Sequence, residues 1–442
     1  MSAVPHPGLH AHRGAVLDFL DDPRAAGAKA VRYYDDGVLL VRDGRVEGVG
    51  AADRIVAALP PETPVSDHSG RLIMPGFIDA HVHYPQTEII ASAGLHLLDW
   101  LNDQTFPAES RFGDAALAAE TAEFFLDELL RNGTTTASVF PTVHKASVDA
   151  FFAAAARRGM RMLCGKVMMD RNCPEALRDD AESSYEDSAE LIERWHGRDR
   201  MHYAVTPRFA ATSSERQLAF AARLLDEFPG VRLQTHLAEN IDELRWIAEL
   251  FPRSRSYLDV YDRLGLVRPG ALFAHCLHLD AADWSRLAAA GAAAVHCPTS
   301  NLFLGSGIFD MDRCRSANVG VALASDVGGG TSFSMLRTMH EAYKVAKMSG
   351  SSLDSLDCFY LATLGGARVL GLDSHIGNFA AGKEADFIVL RPDATPLARR
   401  RLERDCGLAD RLFVLMMLGD DRAVEAGYVL GKLVYKLGNH AS

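Results

Sequence analysis

The sequence lacks paired cysteines. Its seven cysteines are scattered along 442 residues, and none of them forms a Cys-x-x-Cys motif. An odd and dispersed set of this kind excludes a disulfide framework and a cysteine-based zinc site. It is typical of proteins from a reducing compartment.

Long apolar runs and excess positive charge are also missing. No run approaches the roughly 20 apolar residues that a helix needs to cross a bilayer. The N-terminal stretch lacks the basic-then-apolar pattern of a signal peptide, so we expect a soluble, cytoplasmic protein without a membrane partner. The formal net charge is −12 and no basic cluster stands out, which argues against nucleic acid as a partner. This composition fits an enzyme that handles a small neutral molecule.

Both ends of the chain are rich in strand-forming residues. Two Asp-Gly turn signals separate β-rich runs between residues 31 and 49. Near the C-terminus, residues 382–390 and 427–435 also read as strands. We therefore predict one small β domain built from both termini, with residues 1–71 and 376–442 as its two parts.

The middle of the chain, residues 72–375, alternates short apolar runs with longer amphipathic stretches. Such β-then-α units, repeated about eight times over about 250–300 residues, predict a (β/α)₈ barrel. The predicted strands are 72–83, 134–140, 161–169, 202–209, 232–239, 271–278, 292–298 and 319–326. Helices are predicted between them, for example at 115–131 and 217–227.

Polar side chains follow the predicted strands at the ends where this fold places its chemistry. The first strand ends in His81-Val-His83, and both imidazoles lie on one face because side chains alternate along a strand. His236 follows the fifth predicted strand, and Asp326 follows the eighth. We predict that these four residues bind one divalent metal. Imidazole together with carboxylate suits Zn²⁺ or Fe²⁺.

Residues beside these ligands fit roles in proton transfer and substrate binding. Glu239 lies three residues after His236, a position that suits a proton carrier near the metal. Asp326 can accept the proton of a metal-activated water, and His275 can hydrogen-bond a developing anion. Arg208, at the end of the fourth predicted strand, fits an anchor for a substrate carbonyl.

Several of these residues also have a purely structural interpretation. A lone histidine such as His236 is more often a packed core residue, and Asp326 precedes three glycines and could form a turn. Lys166, a conceivable bridge to a second metal, falls inside the third predicted strand, so one metal is favoured over two. A second His-x-His pair, His10 and His12, follows no apolar strand, and we predict a solvated tail there.

The motif Pro-Gly-Phe-Ile-Asp-Ala-His-Val-His at 75–83, with Thr-His-Leu-Ala-Glu at 235–239, His275 and Ser-Asp at 325–326, resembles the metal-dependent amidohydrolase superfamily. More specific stretches resemble the guanine deaminase family within it. These stretches are His-Tyr-Pro-Gln-Thr-Glu at 83–88, the run from Leu97 to Glu109, Thr-Pro-Arg-Phe at 206–209, and the runs at 297–307 and 326–335.

The resemblance implies a (β/α)₈ barrel with a composite β-sandwich domain from both termini, one zinc per subunit and a homodimer. It implies hydrolysis of the C–N bond of a cyclic amidine, guanine to xanthine and ammonia, in purine catabolism. By matching position, His81, His83, His236 and Asp326 would be the metal ligands; Glu239, Asp326 and His275 would be catalytic; and Gln86, Arg208, Phe209, His236 and His275 would contact the purine. No position of this set departs from the family pattern.

Two alternatives remain open at this stage. Other amidohydrolases use the same metal site to remove amino or chloro groups from pterins, cytosine and s-triazines. A non-catalytic scaffold is an alternative of another class, and the complete set of candidate ligands argues against it. The nucleobase deaminases with Pro-Cys-x-x-Cys ligands are excluded, because the chain has no such motif.

Overall fold

The computed structural model describes residues 8–92, 96–404 and 406–438. The first seven residues, part of the stretch predicted to lack a signal peptide, lie outside the described residues. The strands, in chain order, are β1 (His10–Phe19), β2 (Val31–Arg42), β3 (Arg45–Ala51), β4 (Val65–Pro75), β5 (Phe77–His83), β6 (Thr134–Phe140), β7 (Arg161–Cys164), β8 (Val167–Met168), β9 (Met201–Pro207), β10 (Arg232–Leu237), β11 (Ala271–His275), β12 (Ala293–His296), β13 (Gly320–Leu323), β14 (Phe387–Leu390), β15 (Val424–Val429) and β16 (Lys432–Lys436).

Helices fill most connections between the strands. They are α1 (Pro23–Ala26), α2 (Ala52–Ala58), α3 (Leu97–Trp100), α4 (Phe106–Ser110), α5 (Ala115–Arg131), α6 (Lys145–Arg158), α7 (Ala181–Trp195), α8 (Glu215–Glu227), α9 (Ile241–Leu250), α10 (Tyr257–Arg263), α11 (Ala281–Ala290), α12 (Pro298–Phe303), α13 (Met311–Ser316), α14 (Met335–Met348), α15 (Ser355–Leu361), α16 (Leu364–Val369), α17 (Pro396–Leu402) and α18 (Leu408–Leu418). Within the described ranges, none of them has the length and apolar character that a membrane crossing requires.

A seven-stranded sheet joins the two ends of the described chain. Its order is β16-β15-β14-β4-β1-β2-β3. The termini meet where β4 pairs antiparallel with β14, with Pro75 opposite Phe387 and Leu72 opposite Leu390. Side chains such as Ile73 are fully buried in its core. The prediction of a separate β domain drawn from both termini is confirmed.

Three local predictions in this sheet are wrong. Only the second Asp-Gly pair, Asp43-Gly44, makes a turn, because Gly37 lies inside β2 and pairs with Gly14 beside a bulge. The stretch 427–435 is a hairpin of β15 and β16 rather than one strand. The third error concerns the N-terminal histidines. His10 and His12 are part of β1, and the His12 ring is buried against the rings of Phe387 and Tyr428.

The second sheet is the predicted barrel. Eight parallel strands of the described chain follow the order β13-β12-β11-β10-β9-β7-β6-β5, and β8 pairs with β9 outside this path. The first and last strands meet at their carboxyl ends. Asp326 N–H donates to the His81 carbonyl at 3.0 Å, and His83 N–H donates to the Val327 carbonyl at 2.8 Å. The (β/α)₈ barrel is therefore confirmed, and His81, His83 and Asp326 lie where its first and last strands meet.

The predicted first strand, 72–83, is in fact two strands in two different sheets. β4 ends at Pro75 and β5 begins at Phe77, so the chain crosses between sheets at Gly76. A Cβ atom at Gly76 would lie 2.1 Å from Thr135 Oγ1, so no larger residue fits this crossing. An apolar run gives no signal of such a break. The predicted domain boundary at residue 72 stays a prediction.

Buried ion pairs connect the barrel to the β domain. Arg161 Nε donates to Glu384 Oε2 at 2.8 Å, and Arg200 Nη2 donates to the same oxygen at 2.6 Å. Arg200 also bonds Asp386, just before β14. Burial alone would raise the pKa of Glu384, but the hydrogen bond from Arg161 and the charge of Arg200 lower it to about 2.

Candidate active site

Four side chains from three strand ends converge at the mouth of the barrel. The Nε2 atoms of His81 and His83 are 3.1 Å apart, and those of His83 and His236 are 3.3 Å apart. Asp326 Oδ1 lies 3.3 Å from His81 Nε2 and 3.4 Å from His83 Nε2. One ligand atom from each residue lies within 4.8 Å of all the others. The structure thus brings the four predicted ligands together.

The spacing of the donor atoms fits a divalent metal. Zinc–nitrogen bonds of about 2.0–2.1 Å in a tetrahedron place ligand atoms about 3.3 Å apart, close to the measured separations. Burial lowers the pKa of His81, of His83 to about 3, and of His236, so all three imidazoles are neutral and offer lone pairs. His236 Nδ1 lies 2.7 Å from the Arg208 carbonyl, and a proton on Nδ1 leaves Nε2 free for the metal.

The backbone turns sharply where these strands end. Ala238, His275 and Asp326 have φ angles of 52°, 71° and 51°. Residues other than glycine in this left-handed region cost about 1–3 kcal/mol each, and such residues are concentrated at functional sites. The turns redirect the chain after β10, β11 and β13 and place the side chains over the barrel mouth.

Asp79, on β5, supports the ligands from below. It is fully buried, and its carboxylate accepts hydrogen bonds from the Ser325 N–H at 3.0 Å and the His81 N–H at 3.3 Å, and from the Ser325 hydroxyl. It thereby ties the first ligand strand to the turn that carries Asp326. This role was not predicted from the sequence, although Asp79 is the one acidic residue of β5.

Glu239 and His275 lie together on one side of the ligand cluster. His275 Nε2 is 3.3 Å from Glu239 Oε2 and 3.8 Å from Asp326 Oδ2. Burial, followed by the charge of Asp326, raises the pKa of Glu239 to about 8. Two side chains from the segment that follows β12 hold this pair in place. Ser306 Oγ donates to Glu239 Oε1 at 3.1 Å, and Asn301 Oδ1 lies 2.8 Å from His275 Nδ1. Neither residue has an individual role in the sequence analysis.

The cavity over the cluster contains every predicted substrate contact. Its lining includes Gln86, Arg208, Phe209, His236, Glu239, His275 and Asp326, together with Leu97, Trp100 and Leu101 from the segment around α3. Of the candidate ligands, His83, His236 and Asp326 line the described cavity and His81 does not. Apolar walls with a few convergent polar groups are typical of a small-molecule site.

Glu109 and Lys166 are two buried charged residues outside the cavity lining. Glu109, on α4, bonds both Gln86 and Arg208 and is missing from the predicted site residues. Lys166 is fully buried, but its ammonium group pairs with Asp179 and does not line the described cavity. The side chain best placed in sequence to bridge a second metal is thus engaged elsewhere.

Comparison with known families adds a second line of evidence. Residues 72–434 match the amidohydrolase family. Among curated proteins, the guanine deaminase of Escherichia coli strain K12 is 50% identical over 431 residues, which cover 97% of this chain and 98% of that protein.

Solved structures agree with this comparison. The structure of the E. coli guanine deaminase superposes with a TM-score of 0.95 at 50% identity and covers 97% of this chain and 100% of that one. A guanine deaminase from C. acetobutylicum with guanine bound in its active site superposes with a TM-score of 0.87 at 29% identity, covering 97% and 100% of the two chains.

Proposed function

Since the chain belongs to the amidohydrolase family, in its guanine deaminase branch, we propose that it hydrolyses guanine to xanthine and ammonia. One observation carries the proposal. A single cavity joins the metal-competent His/Asp cluster and the protonated carboxyl of Glu239 to Arg208, whose guanidinium suits the 6-oxo group of guanine.

We assign the metal to His81, His83, His236 and Asp326, with one zinc ion per subunit. Zinc is supported by the imidazole-rich donor set and by the spacing of the four ligand atoms, and a water molecule would be a fifth ligand. A bound zinc ion would lower the pKa of a water molecule towards 7 and thereby supply a hydroxide nucleophile at neutral pH. The pairing of Lys166 with Asp179 supports one ion rather than two.

Proton transfers are assigned to the two carboxyl groups beside the reacting carbon. Asp326 Oδ1 lies 3.3 Å and 3.4 Å from Nε2 of His81 and His83, and the second oxygen of this carboxylate can accept a proton from the attacking water. Glu239 holds a proton at neutral pH and can donate it to N3 of guanine, which makes C2 more electrophilic. After addition at C2, Asp326 gives the water-derived proton to the exocyclic amine, the C2–N bond breaks and ammonia leaves, and Glu239 takes up the hydroxyl proton as the C2 carbonyl forms.

Substrate orientation is assigned to Gln86, Arg208 and Phe209, which line the same cavity. Arg208 donates to O6 of guanine, and Gln86 hydrogen-bonds another polar edge of the ring. Phe209 packs against the flat purine. A buried donor aimed at O6 is left badly paired when adenine presents an amine, so these contacts select a 6-oxo purine.

An assay with several bases tests the function. The purified protein is incubated with guanine, cytosine, a pterin and an aminated s-triazine, and ammonia release is measured for each. We expect rapid release from guanine with stoichiometric xanthine, and far slower release from the others. Preferential turnover of another heterocycle would be compatible with the proposed metal site but would contradict guanine as the substrate.

Three further properties stay proposals. The family resemblance supports a homodimer, a cytoplasmic location and a role in purine catabolism. Light scattering on the purified chain tests the first: a mass of about twice the 48.1 kDa chain is expected, and a monomer would contradict it.

A further inference from the structure

Glu109 lies fully buried between the two side chains that face the purine. Its Oε1 accepts a hydrogen bond from Gln86 Nε2 at 2.9 Å, and its Oε2 accepts one from Arg208 Nη1 at 2.7 Å. Both oxygens of one carboxylate are therefore used to hold residues of the candidate substrate site. Glu109 itself does not line the described cavity.

These bonds determine which way the Gln86 amide faces. Its carbonyl oxygen accepts the Gly328 N–H at 3.1 Å, while its amino group donates to Glu109. A flipped amide would set two N–H groups against each other at Gly328 and two acceptor oxygens against each other at Glu109. The orientation of Gln86 is thus fixed, and the second amino hydrogen of Gln86 remains for the ligand.

The same carboxylate orients Arg208. Within the described part of the chain, Glu109 is the one hydrogen-bond partner of the Arg208 guanidinium, whose carbon lies 5.6 Å from the centre of the Phe106 ring. One Nη1–H is used in this bond, and the remaining N–H groups are left for a substrate oxygen. The buried pair also offsets the charge of Arg208 close to the metal ligands.

We propose that Glu109 is a positioning residue that sets selectivity for 6-oxo purines by holding Arg208 and Gln86 in their donor geometry; this proposal rests on the proposed function. Among the described residues, Glu109 does not line the cavity, and its side chain hydrogen-bonds Gln86 and Arg208 rather than a proposed metal ligand. Its loss removes the one described hydrogen-bond partner of the Arg208 guanidinium and one of the two bonds that fix the Gln86 amide. Selectivity for purines with a 6-oxo group then falls, while the groups that act at C2, Glu239 and Asp326, are still in place.

The test compares guanine with 2-aminopurine, which has the same C2 amine but no 6-oxo group. The variant is Glu109→Gln, and the measured quantity is the ratio of kcat/KM for guanine to that for 2-aminopurine. We expect this ratio to fall about 10-fold or more, with kcat/KM for 2-aminopurine changed far less and the metal content unchanged. Equal losses for both substrates, or an unchanged ratio, would overturn the proposal.

Two variants control for a general effect of the substitution. Glu128→Gln removes a carboxylate that pairs with Arg131 on the outer helix α5, at 2.8 Å, and should leave the ratio at the wild-type value. Glu109→Asp keeps the charge but is too short to reach both partners, so an intermediate ratio is expected. If Glu109→Gln does not fold, the Glu109→Asp protein is measured in its place. A wild-type ratio in that protein would then overturn the proposal.

A double variant tests whether Glu109 acts through Arg208. In an Arg208→Ala background, Glu109→Gln should lower the ratio by no more than about threefold, because the shared partner is already gone. The full loss in that background would contradict positioning through Arg208. Failure of the proposed function is a separate outcome, because the wild-type protein would then show no guanine turnover at all.

Discussion

Three buried carboxyl groups, those of Asp79, Glu109 and Glu239, organise the candidate site at the scale of single residues. Each has a different environment. Asp79 accepts backbone and hydroxyl hydrogens beneath the ligands, Glu109 pairs with a guanidinium, and Glu239 faces a carboxylate and holds a proton. In the proposed mechanism the same functional group therefore serves support, orientation and proton transfer, and the neighbouring groups decide which.

Replacing Glu239 by glutamine should nearly abolish turnover of guanine. Glutamine keeps the shape of the side chain but cannot donate and recover a proton, and loss of general acid–base catalysis costs about 10²- to 10⁴-fold in kcat. Metal content, measured by elemental analysis, should match the wild type. Wild-type turnover in the Glu239→Gln protein would remove this residue from the proton pathway.

Replacing Asp79 by asparagine should lower the affinity for the metal. The kcat of the metal-saturated protein should change much less. The carboxylate holds Ser325, next to the ligand Asp326, and residues behind metal ligands typically contribute about 10- to 100-fold in affinity. Competition with a chelator measures the loss. Asp36→Asn, at an exposed ion pair with Arg13, is the matched control and should bind metal normally.

At the scale of helices and strands, much of the architecture could be predicted from the sequence. Each of the eight predicted barrel strands overlaps an observed one, and helix α5 has the predicted bounds, because period-2 and period-3.6 patterns are local signals. Two strand ends were not predicted, at Gly76 and around Lys166, where one predicted strand is two strands in the structure. Those breaks depend on tertiary contacts such as Gly76 against Thr135.

The same distinction explains the site. His81, His83, His236 and Asp326 could be predicted because each follows an apolar strand whose carboxyl end must meet the others in a barrel. Glu109 and Asn301 could not be assigned roles, because they lie on helices after β5 and β12 whose position over the mouth is not set by local pattern. The burial of His12 was not predicted, because β1 pairs with β4, which lies more than 50 residues later in the sequence.

Gly76→Ala tests the crossing between the two sheets. The added methyl group would lie 2.1 Å from Thr135 Oγ1, and overpacking of this kind costs about 1–3 kcal/mol or more. Chemical denaturation should show a matching loss in the free energy of unfolding. Gly48→Ala, in β3 with open space around the new Cβ, should change stability by much less, and equal losses in both variants would contradict the account.

At the scale of the whole molecule, the barrel and the β domain are joined by charge as well as by the chain. Glu384 precedes β14, while Arg161 and Arg200 belong to the base of the barrel. All three side chains are buried, so the pairs are poorly screened by solvent. Removing one partner would leave a buried charge without compensation.

This link predicts a specific acid sensitivity. The pKa of Glu384 is lowered from 4.5 to about 2 in the folded protein. Its stabilising contribution is therefore complete above pH 4.5 and is lost as the pH falls towards 2. Glu384→Gln should lower the free energy of unfolding at pH 7 by about 3–5 kcal/mol and flatten its decline between pH 4.5 and 2. A decline as steep as that of the wild type would assign the acid sensitivity to other groups.

The most direct test of the central claim is a titration of one sample for both metal content and guanine turnover. The protein is stripped with a chelator, and zinc is added back in steps while bound zinc and xanthine formation are measured. Activity should rise in proportion to bound zinc and saturate at about one ion per chain, and His83→Ala should abolish both zinc binding and activity. Guanine turnover that persists without metal, or zinc that binds fully in the His83→Ala protein, would contradict the central claim.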